Sequence, residues 1–178
     1  IADGAHITPA ELNEHFDAVF YSVGASESRR LGISGEDLPG STSATELVAW
    51  YNAVPGADAA PPLRRSSDAD PASGRAVIVG TGNVALDVAR VLAKTGDELL
   101  PTEIPANVYE GLKGNKAVEV HVFGRRGPAQ AKFTPLELKE LDHSPNIEVI
   151  VNPEDIDYDE GSAVARRGSK ITDQVATI

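Results

Sequence analysis

Ala76-Val77-Ile78-Val79-Gly80-Thr81-Gly82-Asn83-Val84-Ala85 is the stretch that decides the fold. Its apolar start suits a strand buried on both faces. Gly80-x-Gly82-x-x-Ala85 then follows with the spacing of a dinucleotide fingerprint. Gly80 permits a sharp turn, Gly82 lets a pyrophosphate approach the backbone, and Ala85 lets the next helix pack tightly on the strand. That helix is expected over about residues 83–93, with Val84, Ala85, Val88, Val91 and Leu92 on its apolar face. Its first backbone N–H groups would favour an anion at the turn, through hydrogen bonds and the helix dipole. An ordinary strand–helix turn is the alternative. The flanking strand and helix patterns favour the fingerprint.

A second apolar run, Val118 to Phe123, ends in Gly124-Arg125-Arg126-Gly127. In a dinucleotide fold the end of the second strand lies beside the adenosine ribose. An acidic residue there suits a free 2′-hydroxyl, and arginine suits a 2′-phosphate. Guanidinium groups match phosphate bidentately, so NADP(H) is expected over NAD(H). A solvated basic turn is the plain alternative. The second strand normally follows the turn within about 20–30 residues; here residues 94–117 intervene.

Composition narrows the classes. The chain has 178 residues, 41% of them hydrophobic, enough for one domain with a core. The net charge of −11 and pI near 4.7 argue against nucleic acid and anionic membrane as partners. No run approaches the ~20 apolar residues of a membrane span, and no signal peptide is visible. There is no cysteine, which excludes disulfide and thiol chemistry. His6, His15, His121 and His143 show no metal-ligand spacing, so no metal site is expected. A cytoplasmic setting is expected by default. The chain begins at Ile1 and lacks methionine, so a piece of a longer protein is expected.

Along the chain, Thr8-Pro9-Ala10-Glu11 is a capping box opening a helix over about 9–15. Asp17 to Val23 is expected as a strand ending at Gly24-Ala25. Ser43-Ala44-Thr45-Glu46 is a second capping box, opening a helix to about Asn52 in which Trp50 and Tyr51 are expected to pack. Residues 55–74 are expected as a mobile loop. A short helix is expected within 102–112. Thr134-Pro135-Leu136-Glu137 is a third capping box, starting a helix to about Leu141. Ile147 to Val151 is expected as a third strand, and beyond it the pattern fades. Strands alternating with helices predict a parallel sheet.

Several motifs occur in the order and spacing of a known family. Gly82-Asn83-Val84-Ala85-Leu86-Asp87-Val88-Ala89-Arg90, Gly124-Arg125-Arg126-Gly127-Pro128 and Leu136-Glu137-Leu138-Lys139-Glu140-Leu141 are the principal ones. Phe16-Asp17-Ala18-Val19, Gly35-Glu36-Asp37-Leu38-Pro39-Gly40 and Trp50-Tyr51-Asn52 precede them. Over about residues 6–155 the chain resembles the adrenodoxin reductase-like ferredoxin–NADP reductases, which share the insertion. The resemblance implies a three-layer Rossmann-like NADP-binding domain of a two-domain FAD/NADP flavoprotein. NADPH would pass a hydride to FAD, and electrons would go on to a ferredoxin-type iron–sulfur protein. It implies that residues 1–25 are the tail of a first FAD segment, 26–74 a connecting segment and loop, and 75–178 the NADP domain, incomplete at its end. The piece alone would then be inactive.

The same resemblance implies site residues. The turn Gly80-Thr81-Gly82 and Asn83, Val84, Ala85 and Leu86 would lie at the pyrophosphate, and Arg125 and Arg126 at the 2′-phosphate. Arg29 matches an arginine that contacts the nucleotide, and Glu137 an acidic residue beside the cofactor. Glu140 matches a residue near flavin and nicotinamide, implicated in proton handling. Thr81 departs from the Asn or Gln frequent in relatives. Glu137 and Glu140 lie three apart on one helix face, a mildly repulsive pair unless a basic group is near. A free-standing nucleotide-binding or regulatory module without electron transfer remains the alternative. An NADP-linked dehydrogenase with its own substrate site is a weaker one, since no Tyr–Lys or Ser–His constellation is evident.

Overall fold

The computed structural model describes residues 7–22, 24, 27–57, 74–115 and 117–178. The elements run α1 (Pro9–His15), α2 (Ala44–Tyr51), β1 (Arg75–Val79), α3 (Asn83–Ala93), α4 (Gly96–Leu99), α5 (Ala106–Lys113), β2 (Glu119–Phe123), α6 (Pro135–Asp142), α7 (Glu160–Gly168) and α8 (Lys170–Val175). The fold is α/β. β1 and β2 pair in parallel, with Arg75 opposite Glu119 and Val79 opposite Phe123. The Gly80 N–H extends the ladder by one bond to the Phe123 carbonyl at 2.8 Å.

Side chains alternate across a strand, and the two sheet faces differ. Ala76, Ile78 and Val120 pack on a core of Leu47, Trp50, Val88, Leu92, Val108 and Leu112. This core joins α2, α3 and α5 to the sheet. Trp50 is almost fully buried. Its indole lies so close to Gly111 that a Cβ there would sit 2.6 Å from Cζ2. The opposite face is open among the described residues: Val77 is 62% exposed, Val79 58% and Phe123 55%. Burial on both faces was expected of β1. It holds for one face only, because the helices gather on a single side.

Two expected strands do not form. Residues 17–22 and 147–151 carry no ladder, and Phe20, Tyr21, Ile150 and Val151 are exposed. A strand needs a partner for its backbone groups, and the described sheet contains β1 and β2 alone. Val23, Ala25 and positions 58–73 of the expected loop lie outside the described residues. Within the insertion the helix is α5, and α4 precedes it behind a capping box of Thr95 and Glu98. α7 and α8 were not expected; Asp159 and Ser169 cap them. Among the described residues no helix is long and apolar enough to cross a membrane.

Candidate nucleotide site

The turn after β1 is built on glycine for a conformational reason. Gly80 has φ +152°, a region that side chains disfavour, and Ala85 lies beneath it, 3.5 Å from where a Gly80 Cβ would be. Gly82 is the N-cap of α3 and brings no side chain to the helix end. A Cβ at Gly82 would meet nothing within 4 Å. Ala85 and Leu86 donate their N–H groups to the Gly82 carbonyl at 3.0 and 3.2 Å, so only the N–H groups ahead of them at the start of α3, which no side chain caps, are left for an anion.

The strand register carries the basic pair to the same edge. Val79 and Phe123 are opposite each other, so the loop after each strand starts side by side. A Cβ on Gly124 would overlap the Thr81 methyl group, so the two loops are in contact. Arg125 and Arg126 follow, both exposed. Among the described residues neither guanidinium forms an ion pair.

A third segment joins them. The Lys132 N–H donates to the Thr81 carbonyl at 2.7 Å, forming a parallel bridge between Gly82 and Lys132. Two residues later the Thr134 N–H donates to Asn83 Oδ1 at 2.9 Å. These bonds set the N-terminus of α6 beside that of α3. They also displace the expected capping box. Thr134 is the N-cap of α6 but its hydroxyl makes no cap bond, and its N–H, which the Glu137 side chain would have held in the box, is taken by Asn83. Glu137 is left with Oε2 buried and without a hydrogen-bond partner. One turn on, Glu140 pairs with Arg90, which also holds Asp87 at 2.6 Å. Arg90 thus relieves the crowding of the two glutamates.

Other expected residues are placed differently. Val84 is exposed, but Leu86 is buried in the core, and its N–H is bonded to the Gly82 carbonyl at 3.2 Å. Arg29 lies in an exposed segment without regular secondary structure and makes no ion pair among the described residues. Its neighbour Ser28 bonds Thr45 at 2.7 Å, at the start of α2; no described contact brings Arg29 to the turn. Lys132 escaped the sequence reading, because a one-residue bridge leaves no periodic signal. Among the described residues no three His, Asp or Glu gather as a metal site.

A depression beside Glu140 is lined by Lys94, Glu98, His143, Ser144 and Pro145. There the Thr95 backbone N–H, with help from Ser144, Asn146 and the Thr95 hydroxyl, holds the Glu98 carboxyl down at about 2. Glu98 is thereby a structural tie between α4 and the segment after α6.

No protein-family model matches the chain. NADPH-ferredoxin reductase FprA of Mycobacterium tuberculosis is 46% identical over 154 residues, covering 86% of this chain and 32% of that protein. The mitochondrial NADPH:adrenodoxin oxidoreductase of Mus musculus is 41% identical over 153 residues, covering 85% and 29%. The solved structure of Mycobacterium tuberculosis FprA in complex with NADPH matches with a TM-score of 0.78 at 41% identity, covering 99% of this chain and 37% of that one. The chain therefore spans about a third of the length of the relatives it matches. Sequence and fold together make the chain a homologue of the ferredoxin–NADP reductases of the FprA and adrenodoxin reductase type.

Proposed function

We propose that the chain is the NADP(H)-binding portion of an FAD-dependent ferredoxin–NADP reductase. The carrying observation is the register that places the glycine turn and the arginine pair at one sheet edge. The relatives are named as NADPH-ferredoxin and NADPH:adrenodoxin reductases, and one is solved with NADPH. In this proposal the pyrophosphate sits over Gly82 at the first turn of α3, Asn83 to Leu86, meeting the N–H groups ahead of Ala85, since those of Ala85 and Leu86 already bond the Gly82 carbonyl. Arg125 and Arg126 hold the 2′-phosphate. The orphaned Glu137 oxygen accepts a hydrogen bond from the cofactor, and Arg29 makes a further nucleotide contact. Glu140, oriented by Arg90, handles a proton near the nicotinamide.

When bound, NADPH would supply a hydride that FAD would accept, and the protein's part would be to position the two. The flavin belongs to the rest of such a protein, of which residues 1–25 would be a tail and 26–74 a connection to the NADP domain at 75–178. Electrons then pass to a ferredoxin-type iron–sulfur protein, and we place the protein in the cytoplasm. The chain alone is expected to bind NADP(H) and catalyse nothing, for want of a hydride acceptor. The full-length protein should show a flavin absorption spectrum; a colourless one overturns the proposal. Arg125→Ala should weaken NADPH by roughly 1.5–3 kcal/mol and NADH far less, as expected for a charge-assisted contact. Equal losses in a binding titration would remove the arginine from the 2′-phosphate.

A further inference from the structure

We infer that Lys132 is a pyrophosphate-binding residue of this pocket, supplying a positive charge that the glycine turn lacks. The inference rests on the NADP(H) proposal above. Lys132 is the bridge partner of Gly82. Paired residues in a ladder project to the same side of the sheet. The lysine side chain therefore rises on the side where Gly82 has no Cβ. That side is open, with nothing within 4 Å of the missing Cβ. It is also where the pyrophosphate must approach, because the absent side chain is what admits it.

The surroundings agree. Lys132 is exposed, while Ala131 and Phe133 on either side are half-buried, so the alternation turns the lysine outward. Among the described residues it forms no ion pair. Its backbone is fixed by the bond to Thr81, so the stem starts from a rigid point beside the N-terminus of α3. The cations Arg125 and Arg126 stand after β2, on the ribose side of the proposed pocket. Lys132 thus adds charge at the phosphates next to the turn, as a point charge on a flexible stem.

The test uses the full-length protein with Lys132→Gln and Lys132→Arg, titrated calorimetrically with NADP+ and with 2′-AMP, which has the 2′-phosphate but no pyrophosphate. Lys132→Gln should weaken NADP+ on the order of tenfold, the scale of one charge-assisted contact, and leave 2′-AMP unchanged. Lys132→Arg should retain most of the NADP+ affinity, and both variants should melt like the parent because the side chain is exposed. NADP+ affinity unchanged in Lys132→Gln overturns the inference. So does an equal loss for 2′-AMP, which would mark a general charge effect. Failure of the underlying proposal looks different: the parent binds neither nucleotide, or Arg125→Ala leaves both affinities unchanged.

Discussion

Glu137 carries a buried carboxylate oxygen with no donor beside it. Leaving such a group unsatisfied costs about 1–3 kcal/mol, and in the proposed pocket a donor on the nucleotide would remove that cost. Glu137→Gln should therefore keep or raise the melting temperature without nucleotide and weaken NADP+ binding; a clear fall in melting temperature would mean a structural role. Gly124 makes the opposite point, since it is required by shape. An alanine there would overlap the Thr81 methyl. Gly124→Ala should cost about 1–3 kcal/mol in urea unfolding, as overpacking does. Thr81→Ser removes that methyl and leaves Thr81 Cβ at 3.6 Å from the new group, so the double variant should recover most of the loss. No recovery would place the strain elsewhere.

Among the elements, caps were legible where they are purely local. The boxes of Thr8 with Glu11 and Ser43 with Glu46 form as their spacing predicts. The box of Thr134 with Glu137 does not: the Thr134 hydroxyl makes no cap bond, and Asn83, 51 positions away, takes the N–H that Glu137 would have held, which no local pattern foretells. The same limit explains residues 147–151. Their composition suits a strand, but pairing depends on a neighbour. Asn83→Ala should loosen the N-terminus of α6, which Arg90–Glu140 still ties to α3, and cost about 0.5–1.5 kcal/mol, the worth of one hydrogen bond, measurable by denaturant titration. Glu98 gives a pH signature. Its carboxyl lies below the ordinary 4.5, at about 2, so its stabilisation is complete above 4.5 and fades as pH falls toward 2. Glu98→Gln should flatten the acid limb of the stability curve in that window; an unchanged limb would show that Glu98 is not the responsive group.

For the molecule as a whole, the α/β class, the parallel pairing and the turn were readable, because the apolar runs and glycine spacing are strong local signals. Which sheet face would be covered was not, since strand alternation is the same whether or not a second helical layer lies against it. Val77, Val79 and Phe123 leave an apolar face open among the described residues, despite a net charge of −11. The isolated chain should accordingly bind a hydrophobic dye and self-associate as concentration rises. Val77→Lys should suppress both in fluorescence and sedimentation measurements. No dye binding by the parent chain would show the face covered.

The connection from α3 to β2 enters the sheet at its far edge, where the Val118 N–H bonds the Gly74 carbonyl at 2.7 Å. Both loops of the nucleotide pocket leave from the other edge. The intervening segment anchors Val108 and Leu112 in the core, but its turn at 101–103 is exposed. A reporter or affinity domain grafted at that exposed turn should therefore ride on the molecule and leave nucleotide binding at the proposed pocket unchanged.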